Sequence, residues 1–489
     1  RKLGGNFGQV VAAAYDRGNA PWRETYFAYA LRPWAPRHKH PDADEPYVGI
    51  TVFGLRHDGG YTRILFTDFP GSTGGRYNAS DLAVWNGTIV FSATVRDKLV
   101  FVDAKAEQDN EEILGEVEVA EPRGLEIDRK GRLLVVSGNS LKRYTVDWEH
   151  CALGDEQTLV SEIITRAERR QAPPAPEYIS AEDKPQHVAI DRAGNLYVTC
   201  MYPLHQVKMY DGDGRFLRAI GKPGGPQVGP YDEQRMHYPR GIAVTDEGVV
   251  WVVERDKGPK RVSRWNTEGE LLSAIYGPPK YGGGVSMDPL DRERFWYGDS
   301  GIVMEFRADW QTGATKLAAI KHRRFRHHWG AGRKDAQGHL VALDEPGGPL
   351  SPYVALPAAQ GRGTALPDRV IAVNGRRYFT NNWTRGSYDQ RGNLSVWIED
   401  EQGRLKPVLC VGELGVSNWI HHRHHAHWDV LNEEPYKSLW YHHLLAGGKV
   451  HFLWSDNDGD GRIRPEEFRF IHRTPVDPKS WPHPIDKIV

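Results

Sequence analysis

The stretch Asp456-Asn-Asp-Gly-Asp-Gly-Arg-Ile-Arg-Pro-Glu-Glu467 carries the densest ligand chemistry in the chain. Asp456, Asp458 and Asp460 alternate, so a tight loop can turn their carboxylates toward one point. Gly461 permits the sharp turn, and Glu467 can close the set through both oxygens. Oxygen ligands of this number and charge suit a calcium ion. A second group offers nitrogen: His421, His422, His424, His425 and His427, followed by His442 and His443, and preceded by His322, His327 and His328. Neutral imidazoles bind transition metals, and histidine is a general base near neutral pH. The plain alternatives are a solvated acidic turn and a surface or aromatic-packed histidine loop. Four ligand positions plus a glycine weigh against the first; for any single histidine the second is the better account.

The elements that must position these residues follow a repeated pattern. Pro185-Gln-His-Val-Ala-Ile-Asp-Arg-Ala-Gly-Asn-Leu-Tyr-Val198 reads as strand, glycine turn and strand. It returns at Pro122-Arg-Gly-Leu-Glu-Ile-Asp-Arg-Lys-Gly-Arg-Leu-Leu-Val135 and at Pro239-Arg-Gly-Ile-Ala-Val-Thr-Asp-Glu-Gly-Val-Val-Trp-Val252. Weaker copies begin at Gly284 and Gly332, and shortened ones use the Asn86-Gly87 and Asn374-Gly375 turns. These residues resemble the NHL repeat, which implies a closed all-β propeller of four-stranded blades. Seven blades are expected, with six or eight as alternatives. The segment from Asp456 to Glu467 resembles the EF-hand calcium loop, and the resemblance implies that Arg462 contributes its backbone carbonyl and that Arg464, at the ninth position, acts through a water if at all. Its flanks differ, because Val450, Phe452 and Trp454 alternate like a strand where that family has a helix. A static clamp is therefore expected rather than a sensor.

One propeller domain over residues 1–489 is the simplest organisation, with inserted loops at 151–184, 345–368 and 416–445 and the calcium loop at 456–467. Glu156 to Arg170 is the one modest helical candidate. Asp211-Gly-Asp-Gly-Arg215 reads as a turn between outer strands rather than a second calcium loop. Cys151, Cys200 and Cys410 lack CxxC spacing and read as packed free thiols. With 63 Lys+Arg against 64 Asp+Glu and no basic run, nucleic-acid binding is disfavoured. No stretch approaches the roughly 20 apolar residues of a membrane span. Arg1 stands where a Met would start a chain, so a lost leader and an extracytoplasmic location are expected.

Within the repeat, His187 fills the position held by Gly124 and Gly241 in the sister units, where the innermost strand begins. Arg123 and Arg240, one residue earlier in theirs, approach the same rim, with salt bridging between blades as the competing role. His187, His328, His425, Arg123 and Arg240 are thus the candidate catalytic set. Histidine as base, tyrosine as acid, arginine for a uronate carboxylate and tryptophan rings for sugar faces favour a carbohydrate-active enzyme resembling the polysaccharide lyases. Its partner would be a carbohydrate or another extracellular ligand. A non-catalytic binding or scaffold propeller is the alternative. A propeller lyase dependent on a transition metal at the histidine cluster is a further one.

Overall fold

The computed structural model describes residues 10–16, 18, 26–31, 48–55, 61–69, 79–103, 113–171, 184–254, 259–277, 285–299, 302–323, 333–334, 340–341, 353, 356, 367, 369–380, 394–414, 431, 434–445 and 449–473. The chain divides into two compact units. One holds residues 1–225, 233–256 and 261–276, the other 226–232, 257–260 and 277–489.

Among the described residues the first unit holds five four-stranded antiparallel sheets, each with its strands in chain order. Sheet I runs Val10–Tyr15, Tyr26–Leu31, Val48–Leu55 and Tyr61–Phe69; sheet II runs Ala79–Trp85, Thr88–Ala93, Lys98–Asp103 and Ile113–Glu118. Sheet III comprises Pro122–Ile127, Leu133–Ser137, Ser140–Asp147 and Ala152–Val160. Sheet IV comprises Pro185–Ile190, Leu196–Cys200, Gln206–Tyr210 and Phe216–Ile220, and sheet V Pro239–Val244, Val250–Glu254, Arg261–Trp265 and Leu271–Tyr276. Neighbouring sheets meet along their first strands, I to II, II to III, III to IV and IV to V. Sheets in this order, joined through their first strands, are β-propeller blades.

The hairpins follow from sequence. Gly131, Gly194 and Gly248 have φ of +76°, +91° and +81°, where a side chain would be strained. Their N–H groups donate to the carbonyls of Asp128, Asp191 and Thr245 at 3.0, 3.2 and 3.0 Å. Asp128 and Asp191 then bind the turn again through their carboxylates, Asp128 at the N–H groups of Lys130 and Arg132, Asp191 at that of Asn195. Asp211 to Arg215 forms the same turn between the outer strands of sheet IV, closing through Gly214. Asn86-Gly87 and Asn374-Gly375 place both residues at positive φ, as two-residue hairpins require. The blades pack through apolar strand faces: Leu134, Val136, Val188, Leu196 and Val198 form one buried cluster between sheets III and IV.

In the second unit, sheet VI orders Val285–Met287, Arg294–Asp299, Ile302–Ala308 and Thr315–Arg323, with Gly229–Pro230 paired to its last strand. Sheet VII continues for six strands, Arg369–Val373, Arg376–Thr380, Leu394–Glu399, Leu405–Leu414, Lys449–Ser455 and Phe468–Arg473. Arg333–Lys334 and Leu340–Val341 pair separately. Trp440, Trp454, Phe452 and Val450 are buried in this unit's core.

Three expectations need correction. The segment 151–184 is not simply an insertion, because Ala152–Val160 is the fourth strand of sheet III, Glu156 standing opposite Tyr144. Its polar residues conceal it, since an outermost strand faces solvent. For the same reason the helix expected over Glu156 to Arg170 shrinks to Arg166–Gln171, capped by Thr165 and Glu168, whose side chains each accept the other's N–H. The segment 416–445 ends in a helix, Tyr436–Leu445, anchored where Trp440 donates to the Leu431 carbonyl at 2.7 Å. All three cysteines are buried free thiols. Among the described residues no helix is long and apolar enough to cross a membrane.

Candidate functional site

The first strands of sheets II to V share a defect. Their pairing with the second strand slips between Ala79 and Leu82, between Pro122 and Leu125, between Pro185 and Val188, and between Pro239 and Gly241. Such bulges free side chains from the ladder and re-aim them. The residues released include Asp81, Arg123, Gly124, His187 and Arg240.

Asp81 and His187 meet. The Asp81 Oδ2 lies 2.9 Å from His187 Nδ1, and both residues are buried, at 5% and 6% exposure. The same oxygen accepts the Leu125 N–H at 2.9 Å, and Oδ1 accepts that of Leu82. One carboxylate therefore joins sheets II, III and IV. Hydroxyls satisfy the bulged backbone: Ser92 accepts the Asp81 N–H at 2.9 Å, and Thr199 accepts that of His187 at 3.0 Å. Thr199 also donates to the Arg240 carbonyl at 2.9 Å, extending the chain of bonds to sheet V. At Gly124 a Cβ would lie 2.4 Å from the Gln186 carbonyl oxygen and 2.5 Å from the His187 Cα, so adjacent first strands touch there. Arg123 and Arg240 are half-buried on the two flanking strands. His328, His425 and the rest of the sets 327–328 and 421–427 lie outside the described residues. His442 is exposed on its helix.

The acidic loop joins the last two strands of sheet VII as a hairpin, with a single 3-10 turn at Pro465–Glu467. Gly459 and Gly461 take φ of +80° and +69°. Asp456 Oδ1 accepts the Gly461 N–H at 3.0 Å, and Asp460 accepts that of Arg462 at 2.8 Å, which curls the chain around its own carboxylates. Asp456, Asp458 and Asp460 each offer an oxygen within 4.8 Å of the others. Among the described residues no histidine joins a comparable group.

Glu467 is only 4% exposed, and its Oε2 is held by Trp454 Nε1 at 3.0 Å and by the Arg464 N–H at 2.9 Å. Its Oε1 and the Asp456 Oδ2 are buried without a hydrogen-bond partner. Burial, helped by the neighbouring carboxylates, pushes both acids above their ordinary range. Buried carboxylate oxygens with nothing to bind are costly, and a hard cation is the partner they suit. The residues present therefore fit calcium. Arg464 binds Asp460 at 2.6 Å and also contacts Asp458. Lys406 donates to the Gly459 carbonyl at 2.8 Å, and Ile463 is buried in the core with its carbonyl bound to Tyr436.

Sequence reasoning missed Asp81, although a signal existed. His187, Gly124 and Gly241 each stand seven residues before a turn glycine, and Asp81 stands six before Gly87 in the shortened unit. The Ser92 and Thr199 hydroxyls were equally legible, as each lies one residue before the end of its second strand.

No family model and no curated protein matches the chain. Solved structures resemble it. A Staphylococcus aureus virginiamycin B lyase with quinupristin gives a TM-score of 0.31 at 13% identity, covering 60% of this chain and 89% of that one. A nidogen/laminin complex gives 0.33 at 12% over 55% and 80%, and the Dos1 propeller 0.33 at 11% over 65% and 85%.

Proposed function

We propose that the chain is an extracytoplasmic, calcium-binding propeller of NHL type that acts on an acidic polysaccharide, with His187 as general base. The observation that carries the enzymatic reading is the Asp81–His187 pair, each partner in a first-strand bulge, with Arg123 and Arg240 in the bulges of sheets III and V. A buried carboxylate on Nδ1 fixes the tautomer and orientation of an imidazole, which leaves Nε2 to take a proton. In a lyase reaction that proton comes from the carbon next to a uronate carboxylate, whose growing charge a guanidinium offsets. The electron pair forms the new carbon–carbon double bond as the glycosidic C–O bond breaks, and a tyrosine protonates the leaving oxygen.

Calcium would be held by Asp456, Asp458, Asp460, the Arg462 carbonyl and Glu467. There it would fix the last hairpin of sheet VII. Sites in extracellular modules fill at roughly 10⁻⁴–10⁻³ M calcium, which suits an extracytoplasmic setting.

The test is incubation with a panel of polyuronates and neutral polysaccharides, followed by the absorbance of unsaturated products. Product formation that His187→Gln abolishes while the variant keeps its fold by circular dichroism supports the enzyme. The burial of both side chains favours a second reading, a non-catalytic binding protein in which the pair only fastens strands. Sugar binding without product would support that reading, and neither binding nor product rejects a carbohydrate ligand.

A further inference from the structure

The acidic loop contains its own cation. Arg464 reaches back over four residues to Asp460 and over six to Asp458, so one guanidinium bonds two of the three converging carboxylates. Arginine stays charged at all ordinary pH, and its fixed fork suits two acceptors at once. The oxygens it holds belong to two residues whose carboxylates a metal ion would need. Arg464 also opens the short turn that ends in Glu467, and its N–H is bound to Glu467 Oε2. The internal cation and the last carboxylate of the loop therefore move on one segment.

We propose that Arg464 is a built-in competitor that calcium must expel, and that it sets the calcium concentration at which the loop fills. The proposal rests on the calcium reading of the loop. Without metal, the guanidinium offsets the repulsion of Asp458 and Asp460 and holds the loop folded. With metal, both carboxylates turn to the ion and Arg464 swings into solvent, which its partial exposure allows. The exchange weakens net affinity, because each ion gained costs two charge-assisted hydrogen bonds. The loop thus becomes a site for calcium-rich surroundings, tuned by one residue outside the ligand set.

The experiment uses terbium as a calcium-sized probe in the full chain. Trp454 donates to Glu467, so its indole lies beside the site and can sensitise terbium emission. Terbium and calcium-displacement titrations are run on the native protein, Arg464→Gln and Arg464→Lys. Arg464→Gln should bind about tenfold or more tightly, with Arg464→Lys between the two, since lysine keeps the charge but loses the fork. Metal-free Arg464→Gln should also melt below the native protein, the gap closing in calcium. Equal affinities in all three proteins overturn the proposal while leaving calcium binding intact. No uptake by any of them overturns both. If Arg464→Gln does not fold without metal, Arg464→Lys alone decides, and unchanged affinity there is a refutation.

Discussion

Glu254 and Arg261 face each other across the hairpin of sheet V with Nε 2.6 Å from Oε1, and neither side chain reaches solvent. The pair is fully bonded. Glu254 also accepts the His237 N–H at 2.7 Å and the Ser263 hydroxyl at 3.0 Å, while Arg261 donates to the Glu233 carbonyl at 2.7 Å. It ties the chain entering sheet V to that sheet's second and third strands.

Breaking such a pair from one side strands a buried charge. Arg261→Met should cost about 3–5 kcal/mol in urea unfolding, whereas Glu254→Met with Arg261→Met should cost clearly less. Equal losses in the two variants would show that packing, not the ion pair, holds this hairpin.

A second buried network predicts acid sensitivity. Glu305 and Glu399 both touch Arg294 and Lys321, at 2.6 to 2.9 Å. Burial pushes each carboxyl up, but hydrogen bonds from Arg294 and the Lys321 charge outweigh it and hold both below the ordinary 4.5. A carboxylate whose folded pKa is depressed contributes stability above its unfolded value and loses it as pH falls through the folded one. The melting temperature should therefore fall steeply below about pH 4.5, and Glu305→Gln should flatten that limb while lowering the neutral plateau. An unchanged acid limb would remove these glutamates from the account.

Calcium should stabilise the fold by mass action, about 2.7 kcal/mol at a hundredfold excess over its dissociation constant. Chelation should lower the melting temperature, and Asp458→Ala should produce most of that loss and abolish further response to chelator. A melting curve indifferent to chelator would reduce the loop to a self-neutralised turn.

The Thr199 hydroxyl serves two strands, so its removal is felt twice. Thr199→Val should cost about 1–3 kcal/mol by leaving the His187 N–H without its acceptor, and Thr199→Ser should restore nearly all of it. Hydrogen exchange at His187 is the direct readout; unaltered protection in Thr199→Val would contradict the bridge.

Two glycines should separate clash from strain. Gly194→Ala meets nothing within 4 Å and suffers only its φ of +91°, a cost of about 1–2 kcal/mol. Gly124→Ala drives its Cβ against backbone at 2.4 Å, which no rotamer relieves, so it should be the more damaging of the two. Similar stabilities would mean the first strands can part at little cost.

The blades were legible because the turn chemistry repeats: Asp128, Asp191 and their glycines mark hairpins whatever the tertiary setting. The outer strands were not, as Ala152–Val160 shows, since solvent imposes no apolar alternation on an edge. Of the candidate site, the loop carboxylates stood in plain spacing. The partners of His187 did not, because Asp81 lies 106 residues earlier and only the stacking of blades brings it near. Arg464 could be numbered in the loop from sequence, yet its reach back onto Asp458 and Asp460 depends on the curl imposed by Gly459 and Gly461.

Each described sheet of the first unit is ordered as its chain is, which bears on how the protein is made. Within these sheets each strand pairs with the next in sequence, so little needs to wait for distant sequence. On the ribosome, sheet II can zip before sheet III has emerged, each finished blade offering its first strand as a template for the next. The seam across blades forms only once sheet IV emerges, when the Asp81 carboxylate can reach His187. A nascent chain stalled before Pro185 would hold three formed sheets with that carboxylate still waiting for its histidine.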